Sequence, residues 1–211
     1  MGYHALMSVA DGSNPETAMR SACEAGDYAT AATRAIELYG GEILAFLGAR
    51  LRSSSDGEEV FASFTEKLWV GLAGFEWRTS LRGWAYGIAR NAANDFAATP
   101  RNRGRNHVAL SDNPVVLELM TRLRTTTQLY RKTAVKDRMR ELRETLPDDD
   151  QMLLVLRVDR DMSWRDLAAA ISDGRNPDAP ELEREAARLR KRFERVKEQL
   201  RELARAEGLL K

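Results

Sequence analysis

Residues 80–96 of this chain, SLRGWAYGIARNAANDF, place aromatic, cationic and amide side chains along the period of a single helix. Trp84 and Tyr86 are flat, and Asn91 carries an amide that can hydrogen-bond the edge of a base. The preceding residues 74–79, GFEWRT, add two more aromatic rings. Unstacked bases are held by flat side chains and polar edges in one pocket. The two stretches together therefore predict a surface that binds single-stranded nucleic acid.

The same helix carries two glycines, Gly83 and Gly87, on the flank beyond its apolar seam. Each glycine costs about 1 kcal/mol relative to alanine inside a helix, so a close approach by another chain is the expected reason for it. That chain can be nucleic acid, or it can be a second helix that crosses the first. The apolar seam itself is formed by Leu81, Ala85, Ile88, Ala92 and Phe96.

A second candidate surface lies on the long helix predicted from Pro180 to about residue 207. Its apolar seam is Leu182, Ala186, Leu189, Phe193, Val196, Leu200 and Leu203. Opposite that seam runs a basic stripe of Arg184, Arg188, Lys191 and Arg195. Glu198 and Glu202 continue the stripe with the opposite charge, so only the N-terminal half suits phosphates. This pattern predicts a helix that enters a DNA major groove by its N-terminal half. A bundle helix with a solvated charged face is the alternative interpretation.

The elements that must position these surfaces are helical almost throughout the chain. In the N-terminal half, Ser80 caps the 80–96 helix and Asp56 is the predicted cap of the helix before it. The other predicted helices there run from Pro15 to near Gly26, over residues 27–51 and over residues 57–73.

The second half begins with residues 99–114, TPRNRGRNHVALSDNP, which lack periodicity and predict a linker. Helical periodicity resumes near residue 115 and ends before Pro147. Helices are then predicted over 148–158, over 164–171 behind a Ser163 cap, and over the long segment closed by Gly208. The last two form a helix-turn-helix whose turn is extended by SDGRNPDAP, residues 172–180.

These elements predict an all-α protein of two small helical domains joined by a flexible linker. The second domain is expected to be a helix-turn-helix with an extended turn and a long C-terminal helix. The predicted boundaries are an N-terminal tail and helix start over 1–25, a first domain over 26–98, a linker over 99–132 and a second domain over 133–211.

Charge is distributed unevenly along the 211 residues, although the net charge is only +1. Segments 77–107 and 184–211 are basic, whereas 1–76 and 108–183 are acidic. This distribution favours two separate contacts with a polyanion and acidic surfaces that face something else. The single cysteine excludes an internal disulfide, and no apolar run approaches the roughly 18 residues of a membrane span. With no leader sequence at Met1, we expect a cytoplasmic protein without membrane insertion.

Four stretches of the chain together resemble the extracytoplasmic-function (ECF) family of bacterial sigma factors, the small promoter-specificity subunits of RNA polymerase. SLRGWAYGIARNAANDF is similar to the family signature Trp-Leu-Tyr-x-Ile-Ala-x-Asn, and DGEEVFASFTEKLW to its polymerase-binding segment Asp-Ala-Glu-Asp-Leu-Val-Gln-Glu-Val-Phe. LPDDDQMLLVLRVDRDMSWRDLAAAI resembles the start of the family's second domain, and ARLRKRFERVKEQLRE its recognition helix. The resemblance covers about residues 26–98 and 133–207.

The resemblance implies two DNA contacts. In this family, the first domain opens the minus-10 promoter element and captures a flipped base, and the second domain reads the minus-35 element as duplex. The implied minus-10 contacts are Phe75, Trp77, Arg78, Thr79, Arg90, Asn91 and Asn94. The implied minus-35 contacts are Arg184, Arg188, Arg190, Lys191, Arg192 and Arg195.

The resemblance also implies protein partners, namely the β and β′ subunits of core RNA polymerase and an anti-sigma factor. Segment 56–69 would lie on a coiled coil of β′, and the linker would thread toward the active-centre channel. The implied polymerase contacts are Asp56, Glu58, Glu59, Ser63, Glu66 and Lys67. Ala62 and Ser63 replace the family's Gln-Glu pair, so this contact has lost a charge relative to other members.

Catalysis finds no support in the sequence, and neither a cofactor nor a metal is expected. His4 and His107 have no second ligand at metal spacing, and Cys23 is expected to be a half-buried structural thiol. Asp148, Asp149 and Asp150 follow Pro147, where their charge favours a helix N-terminus. Two other functions stay open, a helix-turn-helix regulator that binds duplex DNA alone and a helical protein-interaction module.

Overall fold

Seven α-helices make up most of the part of the chain that the structure, a computed structural model, describes, which is residues 14–99, 141–172 and 177–209. They are α1 (Pro15–Glu24), α2 (Tyr28–Leu51), α3 (Ser54–Gly71), α4 (Leu81–Ala98), α5 (Asp148–Leu154), α6 (Trp164–Ile171) and α7 (Ala179–Ala206). A 3-10 turn, Leu72–Gly74, follows α3, and a π-helical turn, Val155–Asp159, extends α5. These ranges contain no strand, so the predicted all-α class is confirmed.

Six of the seven described helices begin where a short polar side chain accepts from a free N–H group, and α5, which follows Pro147, has no side-chain cap. Ser80 and Ser163 cap α4 and α6 as predicted, each accepting a hydrogen bond from the N–H three residues on. The predicted cap of α3 was wrong. Ser53, in extended backbone, accepts from the N–H of Asp56, so α3 starts earlier and Asp56 lies in its first turn. Asp178 and Glu181 form a reciprocal capping box at the start of α7.

Helices α1 to α4, which we call the first group, pack around the long helix α2. Phe61, Phe64 and Leu68 of α3 are buried against this core together with Tyr86 of α4. The α2–α3 crossing is close, because a Cβ atom on Gly57 would lie 2.8 Å from both the Cα and the N of Gly48. The first group therefore holds the loop after α3 and the start of α4 in fixed positions.

Helices α5 to α7, which we call the second group, bury the predicted apolar seam of the last helix. Leu182, Ala186, Leu189 and Val196 are buried, and Phe193, Leu200 and Leu203 are half-buried. Trp164 at the start of α6 meets Phe193 edge-on, with 5.5 Å between the ring centroids. This packing fixes which face of α7 is turned outward.

The two groups pack against each other through α4 and α6, and buried residues from both form one continuous core. The proposed division into two domains stays a prediction. The linker predicted over 99–132 lies outside the described residues except for Thr99. So do most of the helix expected over 115–145, the tail before residue 14 and residues 173–176 of the extended turn.

Candidate nucleic-acid interface

The basic stripe of α7 lies on the surface of the protein. Arg184, Arg188, Lys191 and Arg195 are all exposed, on the side of the helix opposite the buried seam. The side chain of Arg188 is 80 % exposed and pairs with Glu185, three residues earlier on the same helix, at 3.1 Å. A charge held this loosely in water can be transferred to a phosphate at little cost. The predicted orientation of α7 is therefore confirmed.

The two remaining arginines of the predicted minus-35 set, Arg190 and Arg192, contact residues of other helices. Arg190 is exposed, and its guanidinium lies over the ring of Trp164, 5.8 Å from the centroid. Arg192 points away from the stripe. Its Nε donates to Asp150 Oδ1 at 2.6 Å, and its Nη1 lies 3.9 Å from Asp149. Arg192 is thus engaged within the protein and is not part of the open basic face.

The aromatic loop between α3 and α4 is folded against the start of α4. Phe75 is buried and stacks on Trp84, with 4.6 Å between centroids and 22° between the planes. Trp77 is half-buried, 4.9 Å from the Phe75 ring, with a left-handed backbone (φ 55°) that is unusual for a bulky residue. In this arrangement Trp77 has the more accessible ring, whereas Phe75 serves as the wall behind it.

Arg78 and Thr79 complete the loop. Arg78 is exposed and forms an ion pair with Glu76, and Thr79 is half-buried. The carbonyl of Arg78 accepts two hydrogen bonds from Arg165 of α6, at 3.3 Å from Nε and 3.1 Å from Nη2. The loop is therefore tied to the second group through its backbone.

Glu16 of α1 holds the start of α4, which the sequence did not predict. Its carboxylate accepts from the N–H groups of Leu81 at 2.8 Å and of Arg82 at 2.9 Å, and from the hydroxyl of Tyr39 at 2.8 Å. Burial, followed by the charge of Glu16, raises the pKa of Tyr39 far above its ordinary value. Arg82 also pairs bidentately with Glu42, at 2.7 and 2.8 Å. No local pattern marks Glu16, because its partners lie 23 to 66 residues away.

The glycine flank of α4 is covered by α6. A Cβ atom on Gly83 would lie 2.9 Å from the Cβ of Asp166 and 3.0 Å from its backbone oxygen. A Cβ atom on Gly87 would lie 3.2 Å from the carbonyl oxygen of Ala169. Of the two interpretations of these glycines, the structure shows the helix crossing.

The polar residues further along α4 are engaged within the protein, Arg90 by the second group and Asn94 by α2 of the first group. The side chain of Arg90 is only 11 % exposed; its Nη1 donates to the carbonyl of Ile171 at 3.1 Å, and its Nη2 lies 3.7 Å from Asp149. Asn94 accepts a hydrogen bond of 2.9 Å from Arg50, a guanidinium whose pKa is lowered by burial. Asn91, between them, is half-buried.

The acidic start of α5 has a role beyond the helix dipole. Asp149 lies near both Arg90 of α4 and Arg192 of α7, at 3.7 and 3.9 Å, and Asp150 binds Arg192. One arginine from each predicted DNA-binding set is therefore paired with the same acidic turn. The sequence placed these aspartates at a helix N-terminus correctly but gave no sign of their partners, which lie on other helices.

The predicted polymerase-binding face of α3 reaches the surface. Glu66 and Lys67 are exposed, and Lys67 pairs with Asp95 at 2.7 Å. Beyond them Trp69 and Val70 are 48 % and 72 % exposed, an apolar extension that was not predicted from the sequence. The half-buried members of the predicted set are Asp56, Glu58, Glu59 and Ser63.

Among the described residues, no group of histidine, cysteine, aspartate and glutamate side chains could hold a metal ion. Cys23 is half-buried as expected, and burial raises the pKa of its thiol. None of the helices described is long and apolar enough to cross a bilayer. His4 and His107 lie outside the described residues. No model of a known protein family matches this chain, and no curated protein matches its sequence.

Proposed function

We propose that this protein is a promoter-specificity subunit of bacterial RNA polymerase, of the ECF sigma-factor type. The observation that carries the proposal is the open basic face of α7, made of Arg184, Arg188, Lys191 and Arg195, on a helix backed by α6 in a helix-turn-helix arrangement. The order of the four motifs along the chain supports it. Such a subunit would work in the cytoplasm, under the control of an anti-sigma factor.

The second group would read the minus-35 element as duplex. Guanidinium groups can bind guanine bidentately, whereas an ammonium mostly supplies charge. Arg188 and Arg195 are therefore the candidates for base or phosphate contacts, with Lys191 between them as a phosphate contact. The acidic residues Glu198 and Glu202 would keep the C-terminal half of α7 away from the DNA.

The first group would open the minus-10 element. Asn91 would hydrogen-bond the edge of a flipped base, and the half-exposed ring of Trp77 would offer a stacking surface. Phe75 and Trp84, stacked beneath, would keep that ring in place. The chemistry is one of binding, so no catalytic residue is proposed.

Core polymerase would dock on α3. Its acidic side chains, Glu58, Glu59 and Glu66, precede the exposed Trp69 and Val70 along the same helix. A charged face with an apolar end suits a protein partner. Ala62 and Ser63, in place of a Gln-Glu pair, would make the contact depend more on the apolar end.

The proposal is tested by in vitro transcription with core polymerase and a library of genomic fragments. We expect the protein to co-elute with core enzyme and to start transcription at a defined set of promoters. Asn91→Ala should reduce promoter opening about tenfold, as expected for a lost base contact of about 1.4 kcal/mol, measured by permanganate reactivity of unpaired thymines. Gln199→Ala, an exposed amide on the acidic half of α7, is the matched control and should change nothing.

The exposed basic face also favours a second candidate, a helix-turn-helix regulator that binds duplex DNA alone. That protein would use α7 but would need neither α3 nor the aromatic loop. Tight, sequence-specific duplex binding without co-elution with core polymerase would select this second candidate. Absence of both duplex binding and co-elution would leave the third function, the protein-interaction module.

A further inference from the structure

We propose that Arg20 of α1 and Trp77 form a clamp, which holds one unstacked base of a single strand between the guanidinium plane and the indole ring. The inference rests on the function proposed above, because it adds a contact to the single-strand site of the first group. Arg20 lies before residue 26, where the resemblance to the ECF family begins, so it was not among the predicted minus-10 contacts.

The two halves of the clamp lie close together. The Cζ atom of Arg20 lies over the ring of Trp77, 5.9 Å from its centroid. Stacked bases are about 3.4 Å apart, so a base held between two planes needs a gap of about 7 Å. A movement of the Arg20 side chain by about 1 Å would therefore admit a base. Unpaired bases stack both on aromatic rings and on arginine planes.

Arg20 is held loosely enough to make this movement. Its side chain is 57 % exposed, and its Nε donates to the carboxylate of Glu24, one turn later on α1, at 3.0 Å. An exposed pair within one helix contributes little to stability, so it is broken at little cost. The backbone of α1 is anchored, since Met19 is buried and Glu16 binds the start of α4. The guanidinium can therefore adjust while the helix that carries it stays in place.

Trp77 is the fixed half of the clamp. Its left-handed backbone, φ 55°, is strained for a bulky residue and persists only where the surroundings hold it. Phe75 lies against its ring, and the carbonyl of the adjacent Arg78 accepts from Arg165 of α6. The loop is thus braced on both sides of Trp77, so the indole ring keeps its place beside Arg20. Backbone strain of this kind is concentrated at functional sites such as ligand clamps.

Such a clamp would add affinity at one nucleotide without selecting its base, since every base has a π-face on which a ring can stack. Asn91, by contrast, would hydrogen-bond the edge of a base and so contribute selectivity. The clamp would therefore help to keep the strand open, whatever base it holds.

The test measures the affinity of the assembled polymerase complex for the non-template strand of a promoter recovered in the transcription experiment. Each minus-10 nucleotide is replaced in turn by an abasic residue, which keeps the phosphate and removes the base, and binding is followed by fluorescence anisotropy. With the natural chain, we expect one position at which the replacement weakens binding about tenfold. With Arg20→Ala, the same replacement should weaken binding only about twofold, because the base has already lost one of its two stacking partners.

Arg20→Lys separates stacking from charge. Lysine keeps the positive charge but lacks the flat guanidinium, so its abasic penalty should match that of Arg20→Ala. A second signal comes from 2-aminopurine at the clamped position, whose fluorescence is quenched by stacking. It should be dim with the natural chain and brighter with either variant. Arg34→Ala is the control, since it removes an exposed arginine from α2, against which α1 packs, and it should behave like the natural chain.

Two results would overturn the inference. One is an abasic penalty that is the same for the natural chain and for Arg20→Ala at every position. The other is full rescue by Arg20→Lys, which would assign Arg20 to charge alone. Failure of the proposed function gives a different result. In that case the natural chain would not co-elute with core polymerase and no promoter would be recovered, and the inference would fall with the function.

Discussion

Arg188 and Arg192 lie one turn apart on α7, yet only one of them is available to a ligand. Arg188 is 80 % exposed and pairs with Glu185 of its own helix, whereas Arg192 is held by Asp150 at 2.6 Å. Surface ion pairs within one helix are worth little, so Arg188 can exchange its partner for a phosphate. Arg192 must first leave a charge-assisted hydrogen bond.

Arg188→Ala should weaken duplex binding and reduce the slope of log K against log salt by about one, since one phosphate contact is lost. The measurement is a salt titration of duplex affinity. Arg201→Ala is the matched control, because Arg201 also pairs with a glutamate three residues earlier but lies beyond the change of sign on α7. Equal slopes for the natural protein and both variants would contradict a phosphate contact at Arg188.

The environment of α7 could be predicted from the sequence because its seam and its basic stripe are both local patterns. Leu182, Leu189 and Val196 repeat at helical spacing, and the charges follow the opposite side. The pairing of Arg192 could not be predicted, because Asp150 is 42 residues away and reaches α7 only after α5 packs on it. The hydrogen bonds from the start of α4 to Glu16 could not be predicted for the same reason, because Glu16 lies on α1, more than 60 residues earlier.

At the scale of the helices, two backbones can pack closely only where a glycine leaves out the Cβ atom that would separate them. Gly57 and Gly48 meet at the α2–α3 crossing, but the two are not equivalent. A Cβ atom on Gly57 would lie 2.8 Å from the backbone of Gly48, whereas one on Gly48 would find nothing nearer than Ser54 at 4.0 Å. The two positions offer a matched pair of substitutions in one crossing.

Gly57→Ala should lower the free energy of unfolding by about 1–3 kcal/mol, because backbone atoms must move to admit the new methyl group. Gly48→Ala should raise it by up to about 1 kcal/mol, since helix propensity improves without a clash. Urea unfolding followed by far-UV circular dichroism measures both. Equal effects of the two substitutions would mean that the crossing is not as close as described.

Helix positions were largely predictable, because caps such as Ser80 and Ser163 are local signals. The burial of α4 on two faces could not be predicted from the sequence. Its apolar seam predicted one buried face, toward α2 and α3, and the second is buried by α6, whose first residue is Trp164. Gly83 and Gly87 predicted a point of close approach on α4, but a local pattern does not specify whether nucleic acid or another helix approaches there.

At the scale of the whole molecule, acidic and basic segments of the chain pair with each other in the folded structure. The acidic turn of α5 lies between arginines of α4 and α7, so acidic and basic segments that are far apart in sequence meet across one interface. Buried residues of both helical groups are continuous there. The docking of one group is therefore expected to contribute to the stability of the other.

The natural protein should unfold in urea as one cooperative unit, because separating the groups exposes part of a shared core. Trp164→Phe removes the tryptophan of the second group and leaves Trp69, Trp77 and Trp84 to report on the first. In that background, fluorescence and far-UV circular dichroism should give the same midpoint. Adding Gly83→Ala should separate the two midpoints, whereas adding Gly48→Ala should shift them together. Separate midpoints without Gly83→Ala would show that the groups fold independently and that the α4–α6 contact adds little to either.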